Sequence, residues 1–291
     1  MRFSYKFSNL CGTVYNQGNL VFSPDGGTLL SPVGNRITAM DLEGSKSATF
    51  PFEARGNLMC LALSPDGGLL IAVDQDGHAL LVNHRRAVVL NHFNFKGKVS
   101  GVTFSPDGKL FAAAVGRQLQ IWQSPGLGRE YAPFVLHRTL AGHFDDVLSM
   151  DWADDSQTLV SGSRDLTARL WSVDPAPGFP VSLAGHKESV VGVFFSAQGS
   201  VYTVARDGSL FVWDEEEGEE RKVQVGRKRG RGGQDTRNNG AWRLGKKHYF
   251  NQGKALCAAL HKASGLLVVG FSNGIFGLYE MPSFSNVHTL R

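Results

Sequence analysis

Histidine, a hydroxyl residue and aspartate recur together twice in the chain, as His143, Ser161 and Asp165 and again as His186, Thr203 and Asp207. In a hydrolase such residues supply a nucleophile, a base and the carboxylate that orients the base. Here each set closes on a tryptophan, Trp171 or Trp213, and the second set follows the first at a nearly constant interval. A reaction centre has no reason to be copied in this way. The Gly-x-Ser-x-Gly turn that exposes a nucleophilic serine between a strand and a helix is also absent. A structural role is therefore expected for these residues. Metal chemistry fares no better, because His84 and His92, or His137 and His143, have no cysteine or carboxylate set at ligand spacing. The pairs Asp145–Asp146 and Asp154–Asp155 sit in turn-like segments, where Asp caps backbone N–H groups. Gly-Lys-Ser/Thr does not occur, which removes the phosphate-cradling loop. No catalytic residue, cofactor or metal is expected, and the chain reads as a non-enzyme.

The elements that must position these residues are strands. Ser-Pro-Asp-Gly stands at 23–26, 64–67 and 105–108, a spacing of 41 residues, and each copy is flanked by apolar stretches such as Leu61-Ala62-Leu63. Proline presets φ and glycine supplies the permissive corner, so each copy reads as a hairpin. Diverged copies follow at 152–156, 195–199 and 260–264. Further along each unit a strand ends on a large residue: Met40, Val82, Trp122, Trp171, Trp213 or Tyr279. A period near 41 with three or four short strands per unit is that of a β-propeller blade, and the fold class is all-β. Six sets of inner strands are visible, against seven outer-strand segments near 2–7, 45–50, 87–92, 135–140, 180–184, 247–250 and 285–290. The count predicts an incomplete seven-bladed ring with an open edge beyond Arg291.

The fourth and fifth units resemble WD40 repeats. Gly142-His143 precedes Ser161-Gly162-Ser163-Arg164-Asp165 and Trp171; Gly185-His186 precedes Thr203, Asp207-Gly208 and Trp213-Asp214. The resemblance implies a buried hydrogen-bonded chain in each blade, His143–Ser161–Asp165–Trp171 in one and His186–Thr203–Asp207–Trp213 in the next. The chemistry is compatible, with carboxylate meeting imidazole, imidazole meeting hydroxyl and hydroxyl meeting indole N–H. The other units lack the set and are expected to rely on packing alone.

Strings outside the repeats carry a narrower likeness. Met1-Arg2-Phe3-Ser4-Tyr5-Lys6-Phe7-Ser8-Asn9-Leu10, Gly12-Thr13-Val14-Tyr15 and Ser31-Pro32-Val33-Gly34-Asn35-Arg36 are similar to the periodic tryptophan protein family of nucleolar WD-repeat scaffolds. So are 266–276 and Glu280-Met281-Pro282. The resemblance covers the chain except 215–248. It implies an N-terminal WD40 propeller, residues 1–291, of a longer protein. It also implies a place in the UTP-B subcomplex of the small-subunit processome, among other WD-repeat and helical proteins. There the family assists early pre-rRNA cleavages and 18S rRNA maturation with a box C/D snoRNP, in the nucleolus of the nucleus. A WD-repeat adaptor of another kind, such as a ubiquitin-ligase substrate receptor, is the alternative.

Composition agrees with a packed β chain. Of 291 residues 42% are hydrophobic, and 35 are glycine. No apolar run is long enough for a membrane-spanning helix, and no membrane partner is expected. The three cysteines, Cys11, Cys60 and Cys257, lie far apart, as in a reducing compartment. Basicity is confined to residues 221–248, where ten Lys/Arg face a single acid, Asp235; the rest of the chain is net negative. The segment 215–248, acidic at first and then rich in arginine and glycine, reads as a solvated, mobile loop inserted in the propeller. Its candidate contacts with RNA or a partner are Arg227, Lys228, Arg229, Arg231, Arg237, Arg243, Lys246 and Lys247. A nuclear-localisation patch at 227–231 and a neutral solvated loop are the other readings. Arg117, Arg164 and Arg206 recur in equivalent turns and should share one face of the ring.

Overall fold

The computed structural model describes residues 18–126, 131–215 and 242–290. Among these the chain forms six four-stranded antiparallel sheets and no helix. Each sheet uses four consecutive strands in sequence order, innermost first. The inner strands are Val21–Phe22, Leu58–Leu63, Val99–Phe104, Val147–Trp152, Val190–Phe195 and Ala255–His261, and each packs beside the next. The outer strands are Lys46–Thr49, Val88–Asn94, Val135–Ala141, Val181–Ala184, Trp242–Tyr249 and Ser285–Leu290. This is a six-blade propeller arrangement. The outer strand expected at 2–7 lies outside the described residues.

Chemistry within the Ser-Pro-Asp-Gly turns explains why the motif repeats. Ser64 Oγ accepts the Leu69 N–H at 2.8 Å and donates to Asp66 Oδ1, which in turn accepts the Gly68 N–H at 3.1 Å. The turns at Ser23 and Ser105 are built alike. Gly26, Gly67 and Gly108 sit at φ +73, +67 and +71, a region that a Cβ disfavours. The serine hydroxyl holds the carboxyls of Asp25, Asp66 and Asp107 below the usual carboxylate range, with the turn N–H groups adding to the effect.

Core side chains lie between blades as well as within them. Leu30 and Ile37 of the first blade pack with Leu61 and Leu70 of the second, and Val160 and Leu170 of the fourth with Val193 and Phe211 of the fifth. The second strand of the second blade, Leu69–Asp74, is buried throughout. Each full burial of a Leu, Ile or Val contributes about 1.5–3 kcal/mol. Polar ties cross the same seams. Leu58 N–H reaches Gly34 O at 2.8 Å, Val147 N–H reaches Gly116 O at 2.9 Å, and Phe195 N–H reaches Asp151 Oδ2 at 2.8 Å. Lys262 of the sixth blade spans the fifth, with Nζ 3.0 Å from Trp152 O and 3.2 Å from Asp154 Oδ1.

One boundary differs from the sequence expectation. Glu215 still belongs to a strand, and the fifth blade's outer strand starts at Trp242 and not at 247, so the charged insertion is shorter than 215–248. Trp242 and Leu244 point into the core there, and a register shift between Val212 and Trp213 then changes the phase, so that His248 stacks on Phe284. The shift breaks the alternation by which a strand is recognised.

Gly162 marks how closely the blades approach. A Cβ there would lie 2.6 Å from Val190 Cγ1 and 2.8 Å from Val193 Cγ1, both on the inner strand of the next blade. Gly162→Ala is expected to destabilise the chain by about 1–3 kcal/mol, as overpacking does, read as a lowered midpoint in denaturant titration followed by tryptophan fluorescence.

Candidate functional site

In the fourth blade the four expected residues meet. Trp171 Nε1–H donates to Ser161 Oγ at 2.7 Å, Ser161 Oγ lies 2.7 Å from His143 Nε2, and His143 Nδ1 lies 2.9 Å from Asp165 Oδ2. One proton arrangement satisfies every atom: indole N–H to hydroxyl, hydroxyl O–H to Nε2, and Nδ1–H to carboxylate. It requires a neutral imidazole. Burial holds the His143 pKa below its ordinary value, against the pull of Asp165. Burial alone would raise the Asp165 carboxyl, but hydrogen bonds from Thr167, the Phe144 N–H and His143 prevail and bring it to about 2.

The fifth blade departs from expectation at one link. Trp213 Nε1–H donates to Thr203 Oγ1 at 2.9 Å, which lies 2.7 Å from His186 Nε2. Nδ1 of His186, however, meets Ser209 Oγ at 3.0 Å, and Ser209 Oγ donates to Asp207 Oδ1 at 2.6 Å. The chain therefore has five members, and the sequence reading missed Ser209. Its signal was local: a hydroxyl two residues after the Asp, the place Thr167 holds after Asp165. Burial drives the His186 pKa down to about 4, with Asp207 opposing and Lys247 assisting.

Ser161 and Thr203 are fully buried, and both imidazoles nearly so. A substrate cannot reach them. Their hydrogen bonds tie the loop before the inner strand to the second and third strands of the blade. Third-blade Trp122 stands where Trp171 and Trp213 do, but Ala113 replaces the hydroxyl and Phe95 the histidine, and the indole N–H has no acceptor among the described residues. Phe93, Phe95, Phe111 and Phe134 surround it, with Phe93 5.0 Å away centroid to centroid. Ring packing fills the place that the hydrogen-bonded chain takes in the fourth and fifth blades.

The candidate nucleic-acid contacts divide in two. Arg227, Lys228, Arg229, Arg231 and Arg237 lie outside the described residues. Arg243, Lys246 and Lys247 stand on the outer strand of the fifth blade and are exposed; Lys247 Nζ sits 4.9 Å from the Phe211 ring centre. Asp214 faces Arg243 across the strand pair. Arg117, Arg164 and Arg206 occupy the equivalent turns between second and third strands of three adjacent blades, and Arg164 reaches Asp146 at 3.9 Å.

Six consecutive four-stranded blades, two of them locked by Trp–hydroxyl–His chains, define a WD40 propeller. The family description "WD domain, G-beta repeat" matches residues 87–123, 134–172 and 179–214. Each of the three spans takes in the outer strand of one blade and the first three strands of the next.

Within that class the chain belongs to the periodic tryptophan protein 2 family. It is 48% identical over 306 residues to the periodic tryptophan protein 2 homolog of Schizosaccharomyces pombe, covering 100% of this chain and 34% of the relative. It is 45% identical over 310 residues to periodic tryptophan protein 2 of Saccharomyces cerevisiae, covering 100% and 32%. It is 38% identical over 326 residues to the homolog of Mus musculus, covering 100% and 36%. The chain thus spans about a third of the length of these relatives.

Two outcomes test the polar chains. Ser161→Ala strands a buried imidazole nitrogen and a buried indole N–H, and should cost about 2–4 kcal/mol in denaturant titration. His186 is depressed in the folded state, so its neutral form contributes stability that is fully present above pH 6.5 and is lost as pH falls toward 4. The loss is roughly 3 kcal/mol. His186→Gln should flatten the stability–pH slope between those limits relative to the unaltered chain.

Proposed function

We propose that this chain is part of a non-catalytic WD-repeat platform in ribosome biogenesis, which helps assemble the small-subunit processome on pre-rRNA for early cleavages and 18S rRNA maturation. Its partners would be other WD-repeat and helical proteins of the UTP-B subcomplex, with pre-rRNA and a box C/D snoRNP, in the nucleolus. The observation that carries this reading is the match along the whole chain to relatives named periodic tryptophan protein 2. The geometry is compatible with it. The recurring His, Ser/Thr and Asp residues are consumed inside the blades, which leaves edges, turns and charged strands as the working surfaces.

RNA contact would fall to the basic segment. Exposed Lys246 and Arg243 continue, on an ordered strand, the charge carried by Arg227, Lys228, Arg229, Arg231 and Arg237. Lysine and arginine there would neutralise phosphates and release counterions.

Affinity purification of the tagged full-length protein from nuclear extract tests the reading, with pre-rRNA and box C/D snoRNA probed directly. Recovery of both RNAs with other nucleolar WD-repeat proteins is expected. Recovery of cullin-type machinery without pre-rRNA would overturn it in favour of a ubiquitin-ligase adaptor. Replacing Arg227, Lys228, Arg229, Arg231 and Arg237 by alanine together with Lys246→Glu should weaken RNA retention. Its salt dependence should flatten by about one unit of slope for each phosphate that is no longer neutralised.

A further inference from the structure

We propose that the turn Asp74–His78 of the second blade binds a divalent transition-metal ion of the zinc class. The argument starts from what the second blade lacks. In the fourth and fifth blades a histidine stands four residues ahead of the inner strand, His143 before Val147 and His186 before Val190. The same place before Leu58 is Ala54, and the place of the hydroxyl residue is Ala72. Where the imidazole would stand, Ala54 lines a cavity of about 390 Å³ together with Asp74, His78, His92, Arg55 and Glu53 among others.

Three potential ligands stand in and beside that cavity. Oδ1 of Asp74 is occupied, accepting the N–H of Asp76 at 3.0 Å and of His78 at 2.8 Å. Oδ2 is buried, on a side chain only 1% exposed, and has no hydrogen-bond partner among the described residues; nor has the neighbouring buried Nδ1 of His78. These atoms stand 3.4 Å apart. That is long for a charge-assisted hydrogen bond, which prefers about 2.7–2.9 Å. It equals the separation of two ligands about 2.05 Å from one tetrahedral zinc ion, roughly 3.3–3.4 Å. A carboxylate oxygen of Asp76 completes a group whose ligand atoms all lie within 4.8 Å of one another. Asp76 occupies the position of Asp165 and Asp207, and His78 that of Thr167 and Ser209. The turn that elsewhere ties hydroxyl to carboxylate therefore presents here two carboxylates and an imidazole. Imidazole with carboxylate favours zinc-like ions over calcium or magnesium, which take oxygen ligands. The cavity provides an entry path and room for a water in the fourth position.

The sequence reading expected this blade to depend on packing alone and no metal. It overlooked Asp74-Gln75-Asp76-Gly77-His78 because a tight D-x-D-x-H turn lacks the longer spacing of familiar zinc motifs.

The test uses the tag-free 291-residue chain, stripped with chelator and titrated with Zn²⁺ against a chromogenic competitor, with Ca²⁺ and Mg²⁺ in parallel. One equivalent of zinc per chain is expected, and cobalt in its place should show the visible absorption of a four-coordinate site. Asp74→Asn keeps the Oδ1 that caps the turn, and His78→Gln alters a half-exposed side chain, so both should fold. Each should lower zinc affinity at least about tenfold, with thermal melts verifying the fold. No stoichiometric zinc binding, calcium binding only, or unchanged affinity in both variants overturns the proposal.

Discussion

A β-sheet with apolar side chains on both faces cannot bury them by itself, and every blade of this chain is such a sheet. The second strand of the second blade has no exposed residue at all. The faces are covered by neighbouring blades, which is why the inner strands pack in sequence and why core clusters draw residues from two blades at a time. Stability is thus shared across seams, and small residues such as Gly162 are placed where a neighbour's valines leave no room. Backbone bonds and bridges such as Lys262 add direction to an attraction that otherwise has none.

Within that constraint the blades solve one local problem in different ways. The space between the inner strand, the second strand and the turn beyond it must be filled. In the fourth and fifth blades a neutral imidazole fills it and is hydrogen-bonded at both nitrogens. In the third, Phe95 does so, and Trp122 is packed among phenylalanines. In the second, alanines leave the space open, and a buried carboxylate faces it. The same backbone therefore carries a polar lock, an aromatic plug and an unfilled polar cavity.

Much of this was legible in the sequence, for local reasons. Ser-Pro-Asp-Gly is a complete turn in four letters, since the serine and aspartate bond to each other and to the strand that follows. Trp171 and Trp213, with their histidines, marked the blades because the chain they join spans fixed distances. The family likeness was likewise readable from strings outside the repeats. What escaped depended on contacts between segments. Ser209 looks like any strand residue until His186 is placed beside it. The strand from Trp242 was hidden because its alternation is interrupted by a bulge and its exposed positions carry the same lysines and arginines as the insertion before it. The cavity beside Asp74 is invisible in a string of residues, since Ala54, Asp74, His78 and His92, which line it, come from separate segments.

All three of the matched repeats are out of phase with the blades: each begins on the outer strand of one sheet and ends on the third strand of the next. A unit copied in the gene would therefore never add a self-contained blade. It would finish the sheet before it and leave its own sheet to be finished by whatever follows, as overlapping tiles do on a roof. Gene duplication can then lengthen such an array at any joint without orphaning a strand, and recombination between repeats exchanges seams and not blades. Divergence in one unit is consequently felt by two sheets, which ties the evolutionary histories of neighbouring blades together more tightly than their separate folds would suggest.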